Sequence, residues 1–264
     1  MDGRSERGRQ LGNESGYANE ETWAKANAKI EGNVFDSNMK NLSNGKYAVG
    51  YLNGNKWSVP EADTKITAGW FWGPDKKTPH SMEQLADIYF RSVGHNSVLL
   101  LNVPPNRDGT VDADILARVK EFGNAVKGTF DDNLAKGADI KASDVKAKDS
   151  KFSPANVLDG DDKTYWTVED GVSEAKLLID LKETKTFDVV SLEETIQFGQ
   201  RIGTFKVEYQ NGGGDWKVFD QGTTIGSKRL CRKNPVKADK LKITVTTHED
   251  AENKAPILSE AGVY

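Results

Sequence analysis

The strongest constraint on the fold of this chain is a short, unbroken apolar run, Ser97–Val103, between two segments of helical periodicity. The first segment begins at Ser81, which is predicted to form a capping box with Gln84. The second, Asp112–Val126, follows a turn-rich loop and has the apolar spacing of an amphipathic helix. An apolar run bounded in this way is typical of a strand buried on both faces of a parallel sheet. The order helix, strand, loop, helix therefore predicts an α/β architecture, as at the end of a (β/α)8 TIM-type barrel.

The composition changes after Gly128. Helical periodicity fades, and short alternating runs separated by Gly, Asn or Asp turns replace it, which predicts an antiparallel β-sandwich of the jelly-roll kind. We place the boundary within residues 126–140 and expect two domains, 1–128 and 129–264. The predicted strands of the second domain are Lys176–Leu181, Phe187–Glu193, Thr204–Gln210, Trp216–Asp220, Lys240–Thr246 and Ile257–Tyr264.

The first 56 residues are rich in Gly, Asn, Glu and Lys and have no strong apolar period. Two short helices are possible, at Glu20–Lys29 and Val34–Leu42. We expect this segment to pack as loops and short helices over the rest of the first domain.

Charge and composition exclude several classes of function. The chain has 264 residues and a formal net charge of −4, which gives nucleic-acid binding little electrostatic support. No apolar run approaches the roughly 18 residues of a membrane span, and the first ten residues lack the apolar stretch of a signal peptide. Cys231 is the only cysteine and the three histidines are far apart, so we expect neither a disulfide framework nor a metal site, and no cofactor. Cys231 itself is predicted to be a small buried residue.

Three blocks of sequence resemble the α-L-fucosidases of glycoside hydrolase family 29. The segment WSVPEAD (57–63), followed by GWFW (69–72), resembles the family's W-x-P-x-E and G-W-F blocks. The segment LLLNVPPN (99–106) with Asp108-Gly109 is similar to its L-L-L-N-x-x-P block. Upstream, RQLGNESGYA (9–18) resembles the R-W-x-G-N-E-x-G block of the subgroup that acts on α-1,3/1,4-linked fucose.

The resemblance implies a retaining hydrolase of fucosylated oligosaccharides or glycoconjugates, with an extracellular or periplasmic parent enzyme. Retaining hydrolysis needs two carboxyl groups, one nucleophile and one acid/base. The resemblance assigns the acid/base to Glu14, a contact with the sugar or a carboxylate to Arg9, and packing against the apolar face of fucose to Trp70. Glu61 is either a second acid/base candidate or, as we favour, a structural or substrate-orienting residue. Phe71 is expected in the core.

Two departures from the family pattern matter. Gln10 stands where the family has tryptophan. The family's nucleophilic aspartate lies upstream of the Glu14 block, and a whole barrel takes roughly 250 residues. We therefore expect a C-terminal fragment of a fucosidase: the end of the barrel, followed by the sandwich, and inactive alone.

The sandwich is similar to a discoidin-like (coagulation factor 5/8 type C) module, notably at Gln197–Arg201 and Thr223–Gly226. The alternative function is thus a non-catalytic carbohydrate-binding module. Tyr165 and Trp166 are either packing residues, as we favour, or glycan contacts. The run Asp159–Asp162 is a polar turn or, less favoured, a calcium site. In the first domain, Asn102 is predicted to hold a loop rather than to touch a ligand.

Overall fold

The computed structural model describes residues 9–28, 35–36, 38–42, 45–75, 78–252 and 255–264. Strands dominate them. The elements before residue 130 are β1 (Arg9–Gln10), β2 (Lys25–Ala28), β3 (Phe35–Asp36), β4 (Met39–Leu42), β5 (Gly45–Ala48), β6 (Lys56–Trp57), β7 (Pro60–Lys65), α1 (Met82–Ser92), β8 (Val98–Asn102) and α2 (Ala113–Thr129). Those after it are β9 (Asp139–Ala142), β10 (Trp166–Thr167), β11 (Glu174–Glu193), β12 (Ile202–Gln210), β13 (Lys217–Gly222), β14 (Arg229–Thr247), β15 (Ile257–Leu258) and β16 (Glu260–Val263).

Three of the early strands form a parallel sheet in the order β1-β7-β8. Both predicted helices exist and follow the strands as α/β logic requires. The capping box is also confirmed, since the Ser81 hydroxyl accepts from the Gln84 N–H and the Gln84 side chain accepts from the Ser81 N–H. Ile66, Leu85 and Ile115 bury one another and fix both helices against one face of the sheet.

The opposite face of this sheet, which we call the open face, is only partly covered by the described residues. Val98 and Leu100 of β8 are each 52% exposed there. Leu101, on the other face, packs against the helix cluster. The prediction that this strand is buried on both faces is therefore wrong for this chain, because parallel strands need a second layer that the described residues supply only in part.

The prediction of short helices within residues 20–42 is also wrong where the structure describes them. Lys25–Ala28 is β2, which pairs with β3 and β6, and Met39–Leu42 is β4, which pairs with β5. Residues 29–34 and 37 lie outside the described part. Weak helical periodicity gave no guide here, because these strands are short and pair locally.

Six of the later strands form one antiparallel sheet in the order β13-β12-β14-β11-β16, with β9 also paired to β11, and β10 and β15 pair separately. The two long strands β11 and β14 carry it. Their register shifts between Asp180 and Lys185, where Lys182 has a positive φ of 68°. A bulge of this kind lets one strand bend from one layer of a sandwich into the other. Two predicted strands, Lys176–Leu181 and Phe187–Glu193, are thus the two halves of β11.

The apolar core of the sandwich lies between the two layers that the bent strands form. Leu177, Ile179 and Leu181 alternate inward, as predicted, and meet Phe205 of β12 in a single cluster. Cys231 is buried in the same cluster, and burial raises the pKa of its thiol, as expected for a small structural residue. The apolar core of this sheet draws on no described residue before Leu134.

A buried polar junction joins the two parts of the chain. The Asn96 side chain donates to the Thr22 carbonyl (2.9 Å) and to Gln200 Oε1 (3.1 Å). Gln200 in turn donates to the Thr22 carbonyl, and the Ser227 N–H donates to Asn96 Oδ1 at 2.7 Å. Because these groups are buried, separating the parts would leave them unpaired until water reached them. The junction therefore fixes the parallel sheet against the sandwich.

Glu194 lies beside this junction and is fully enclosed. Its carboxylate accepts from the backbone N–H groups of Arg201 (2.7 Å), Ile202 (2.9 Å) and Gly226 (2.7 Å). Burial nevertheless raises the pKa of Glu194 to about 7, against the opposing effect of the three donors. The ionised form of Glu194 therefore lowers the stability of the folded protein relative to the protonated form.

Because one face of the sheet is open, substitutions of two neighbouring leucines should change the free energy of unfolding by different amounts. Leu100→Gln should change the free energy of unfolding by less than about 0.5 kcal/mol, because the side chain already meets water. Leu101→Gln should destabilise by about 2 kcal/mol, because it brings a polar amide into the helix cluster. Urea unfolding followed by tryptophan fluorescence measures both, and equal losses would show that the open face is covered in solution.

The buried Glu194 predicts a pH dependence. Its folded-state pKa lies above the ordinary value of 4.5, so the stability it contributes is complete at low pH and is lost as the pH rises through about 7. The melting temperature should fall between pH 5 and pH 8, and Glu194→Gln should reduce that fall. Differential scanning calorimetry across this range checks it. The exposed Glu183→Gln is the matched control and should melt with the wild-type pH dependence.

Candidate functional site

The carboxyl ends of three strands meet at one edge of the parallel sheet. β1 ends at Gln10, β7 at Lys65 and β8 at Asn102. Because the strands are parallel, the loops that follow them lie side by side. These loops carry Glu14, Trp70 and the segment 103–111.

Glu14 and Trp70 are in direct contact across this edge. The Trp70 indole Nε1 donates to Glu14 Oε2 at 2.5 Å. Asn102 Nδ2 donates to the Trp70 carbonyl at 2.9 Å, which confirms that Asn102 holds a loop. The Lys65 ammonium lies 5.5 Å from the centre of the Trp70 ring. The structure thus brings together two of the residues selected from sequence, 56 positions apart.

The Glu14 loop is fixed on the side away from the sheet edge. The Gly16 N–H donates to the Asp63 carbonyl at 3.0 Å. Gly16 has a φ of +75°, and a Cβ there would lie 2.9 Å from side-chain atoms of both Thr64 and Ile88. Only glycine suits this position. Glu14, two residues earlier, is consequently presented to solvent at a defined place.

Glu61 and Arg9 are placed differently. Glu61 is half-buried in β7, in register with Val98 on the open face. It lies within the strand rather than in a loop at its end. The backbone of Arg9 pairs with Pro60 in β1, but its side chain lies outside what the structure describes, so its contact with a sugar stays a prediction.

Sequence reasoning missed an interaction on the open face. Gln10 Nε2 donates to Asp63 Oδ2 at 2.9 Å, and Asp63 Oδ1 is buried without a hydrogen-bond partner in the described part of the chain. The alternation of Glu61, Asp63 and Lys65 could have signalled one polar face of the strand. Gln10 thus fills the family's tryptophan position with a polar contact.

Phe71 is 85% exposed, so its expected place in the core is wrong. It follows Trp70 directly. The neighbouring Trp72 is half-buried and donates from Nε1 to Asp112 Oδ2 at 2.8 Å. The loop therefore presents one aromatic ring to solvent between two anchored ones.

The sandwich carries its own aromatic cluster. Tyr165 lies between Phe152 and Phe198, with ring centres 5.6 Å and 5.3 Å away, and Phe198 is 47% exposed. Trp166 is fully buried and donates to the Asp144 carbonyl, which confirms its packing role.

The run Asp159–Asp162 forms hydrogen bonds of its own. Thr164 Oγ1 donates to Asp159 Oδ2 at 2.8 Å, and the Asp161 N–H donates to Asp159 Oδ1 at 2.9 Å. These bonds are those of a polar turn. Within the described ranges, no three His, Cys, Asp or Glu side chains are grouped to hold a metal ion. None of the helices described is long and apolar enough to span a membrane.

Comparison with known proteins covers both parts of the chain. Residues 139–260 match the F5/8 type C domain. The chain is 35% identical over 262 residues to α-L-fucosidase 1 of Arabidopsis thaliana, covering 97% of this chain and 49% of that protein. A second relative, from Oryza sativa subsp. japonica and also named as an α-L-fucosidase 1, is 37% identical over 213 residues, covering 80% of this chain and 40% of that protein. The chain thus spans half or less of the length of these relatives.

A solved structure gives the same result. A Ruminococcus gnavus GH29 fucosidase in complex with fucose superposes with a TM-score of 0.91 at 50% identity. The match covers 98% of this chain and 50% of that one. Both the parallel sheet and the sandwich therefore have counterparts in one protein.

Proposed function

The chain belongs to the α-L-fucosidases of glycoside hydrolase family 29 and corresponds to the C-terminal part of such a protein, and we propose that it supplies the acid/base side of a retaining fucosidase site. The proposal includes a role for each site residue, the glycosidic linkage of the substrate and the limits of the two domains. Glu14 is the acid/base, Trp70 packs on fucose, and Arg9 and Glu61 bind or orient the sugar. The substrates are glycans with α-1,3/1,4-linked fucose.

The observation that carries the proposal is the bond between Trp70 Nε1 and Glu14 Oε2. It occupies one carboxyl oxygen and orients the group, which leaves Oε1 to exchange a proton with the substrate. The indole ring beside it offers a flat apolar surface of the kind that covers the C–H face of a sugar. An acid and a sugar platform thus meet at one sheet edge.

In the proposed reaction Glu14 acts twice. It first gives its proton to the glycosidic oxygen as the bond from that oxygen to C1 of fucose breaks, while a carboxylate nucleophile bonds to C1. It then takes a proton from water, whose oxygen bonds to C1 and displaces the nucleophile. Fucose leaves with its configuration retained.

The nucleophile in this scheme comes from the portion of a fucosidase that this chain does not span. The three parallel strands are the last three of a (β/α)8 barrel, residues 1–128 form its C-terminal part, and 129–264 form the sandwich. The open face, with its exposed Val98 and Leu100, is then the barrel interior. Alone, the chain lacks half of the carboxyl pair and should be inactive.

The test uses the chain co-expressed with the complementary half of the Ruminococcus gnavus fucosidase. Glu14→Gln should lower kcat/KM on fucosylated oligosaccharides about 10²- to 10⁴-fold, the usual contribution of an acid/base. Added azide should restore turnover of an aryl fucoside with a good leaving group and yield the α-fucosyl azide, because azide needs no base in the second step.

Glu61→Gln is the matched control. It should lower activity without any rescue by azide. Full activity in the Glu14→Gln protein would remove Glu14 from the mechanism, and azide rescue in Glu61→Gln instead would move the acid/base there.

The second candidate function is carbohydrate binding by the sandwich. The observation that favours it is the cluster of Phe152, Tyr165 and Phe198, whose outermost ring is half exposed. Contiguous exposed aromatic rings at the surface of a sandwich are suited to stacking on sugar faces.

This function predicts binding without hydrolysis. Isothermal titration calorimetry of the whole chain with galactose-containing and fucosylated oligosaccharides should give heat that Phe198→Ala abolishes. Heat that Phe198→Ala leaves unchanged, or no heat with any of these sugars, would contradict it.

A further inference from the structure

A groove lies beside Trp70, the residue that is hydrogen-bonded to Glu14. It has a volume of about 330 Å³, at the small end of the range for ligand pockets, about 300–1,000 Å³. Its lining is mostly aromatic and proline side chains, with one cation. The residues that line it are Trp70, Phe71, Trp72, Gly73, Pro74, Pro104, Pro105, Asn106 and Arg107.

The walls of the groove are held rigidly. The Asp112 carboxylate accepts from Trp72 Nε1 through one oxygen and from Asn106 Nδ2 through the other, each at 2.8 Å. Asn106 Oδ1 in turn accepts from the Thr110 N–H at 3.1 Å. One carboxylate therefore ties the loop after β7 to the loop after β8. A groove fixed before its ligand arrives loses little entropy on binding.

Phe71 is exposed to solvent between these fixed residues. An aromatic ring that is 85% exposed and continuous with Trp70 and two prolines forms an apolar patch rather than an isolated surface residue. Arg107 is exposed as well. Its guanidinium lies 5.6 Å from the centre of the Trp72 ring and can donate hydrogen bonds to a ligand. An apolar face with a few donors at its rim is suited to a sugar, which has C–H faces and hydroxyl edges.

We propose that this groove binds the saccharide that leaves when fucose is released, with Phe71 stacked on its first sugar ring. The inference rests on the proposed function, because an acid/base must lie beside the leaving oxygen and the groove lies beside the residue hydrogen-bonded to Glu14. Phe71 and Arg107 then govern which glycans are accepted, while Glu14 governs the chemistry.

The experiment titrates the chain with galactosyl-β-1,4-N-acetylglucosamine, a disaccharide without fucose, and separately with L-fucose. The indole N–H resonances of Trp70 and Trp72 report on the groove in ¹H–¹⁵N spectra. The disaccharide should shift the Trp72 resonance, and Phe71→Ala should raise the Kd about five- to ten-fold, the loss expected for one aromatic contact. The response to L-fucose should be the same in both proteins.

Val218→Ala is the matched control, because it trims an exposed apolar side chain of β13 in the sandwich and should leave the Trp72 response intact. An unchanged Kd in Phe71→Ala, a Kd for L-fucose that rises instead, or no shift with the disaccharide in the wild-type chain would each overturn the proposal. These outcomes are separate from the azide-rescue result, which tests Glu14 without reference to the groove.

Discussion

The candidate site depends on the parallel pairing of β7 with β1 on one side and β8 on the other. Parallel pairing places three carboxyl ends at one edge, so that loops distant in sequence become neighbours. Glu14 and Trp70 meet because of this register, and Asn102 fixes the meeting by holding the Trp70 carbonyl. A slip of one residue would turn every side chain of β7 to the other face.

The sheet that carries this site is the less covered part of the chain. One face packs on two helices, but the open face exposes Val98 and Leu100. The sandwich, by contrast, closes its own apolar core. The buried junction at Asn96 and Gln200 connects the sheet to the sandwich. The sandwich therefore helps to hold the sheet in place. This gives the sandwich a structural part in the fucosidase whether or not it binds sugar.

Local signals in the sequence predicted local structure well. The capping box at Ser81 and the alternation of Leu177 and Ile179 each reflect interactions within a few residues, and both are confirmed. The short strands of residues 25–48 escaped prediction because their pairing, rather than their periodicity, defines them. The exposure of Leu100 and Phe71 also escaped it, since an apolar residue in a sequence does not reveal whether a partner layer is present.

For the site, the family motifs selected residues but not their contacts. The contact of Trp70 with Glu14 and that of Gln10 with Asp63 join separate blocks, and no single block predicts them. The geometry also suggests a division of labour within the proposed enzyme. Under the proposals above, the acid/base and the groove for the leaving saccharide would lie on this chain, whereas the nucleophile would come from the part of a fucosidase that this chain does not span. Changes in the loops after β7 and β8 would then alter the choice of glycan without touching the group that attacks fucose.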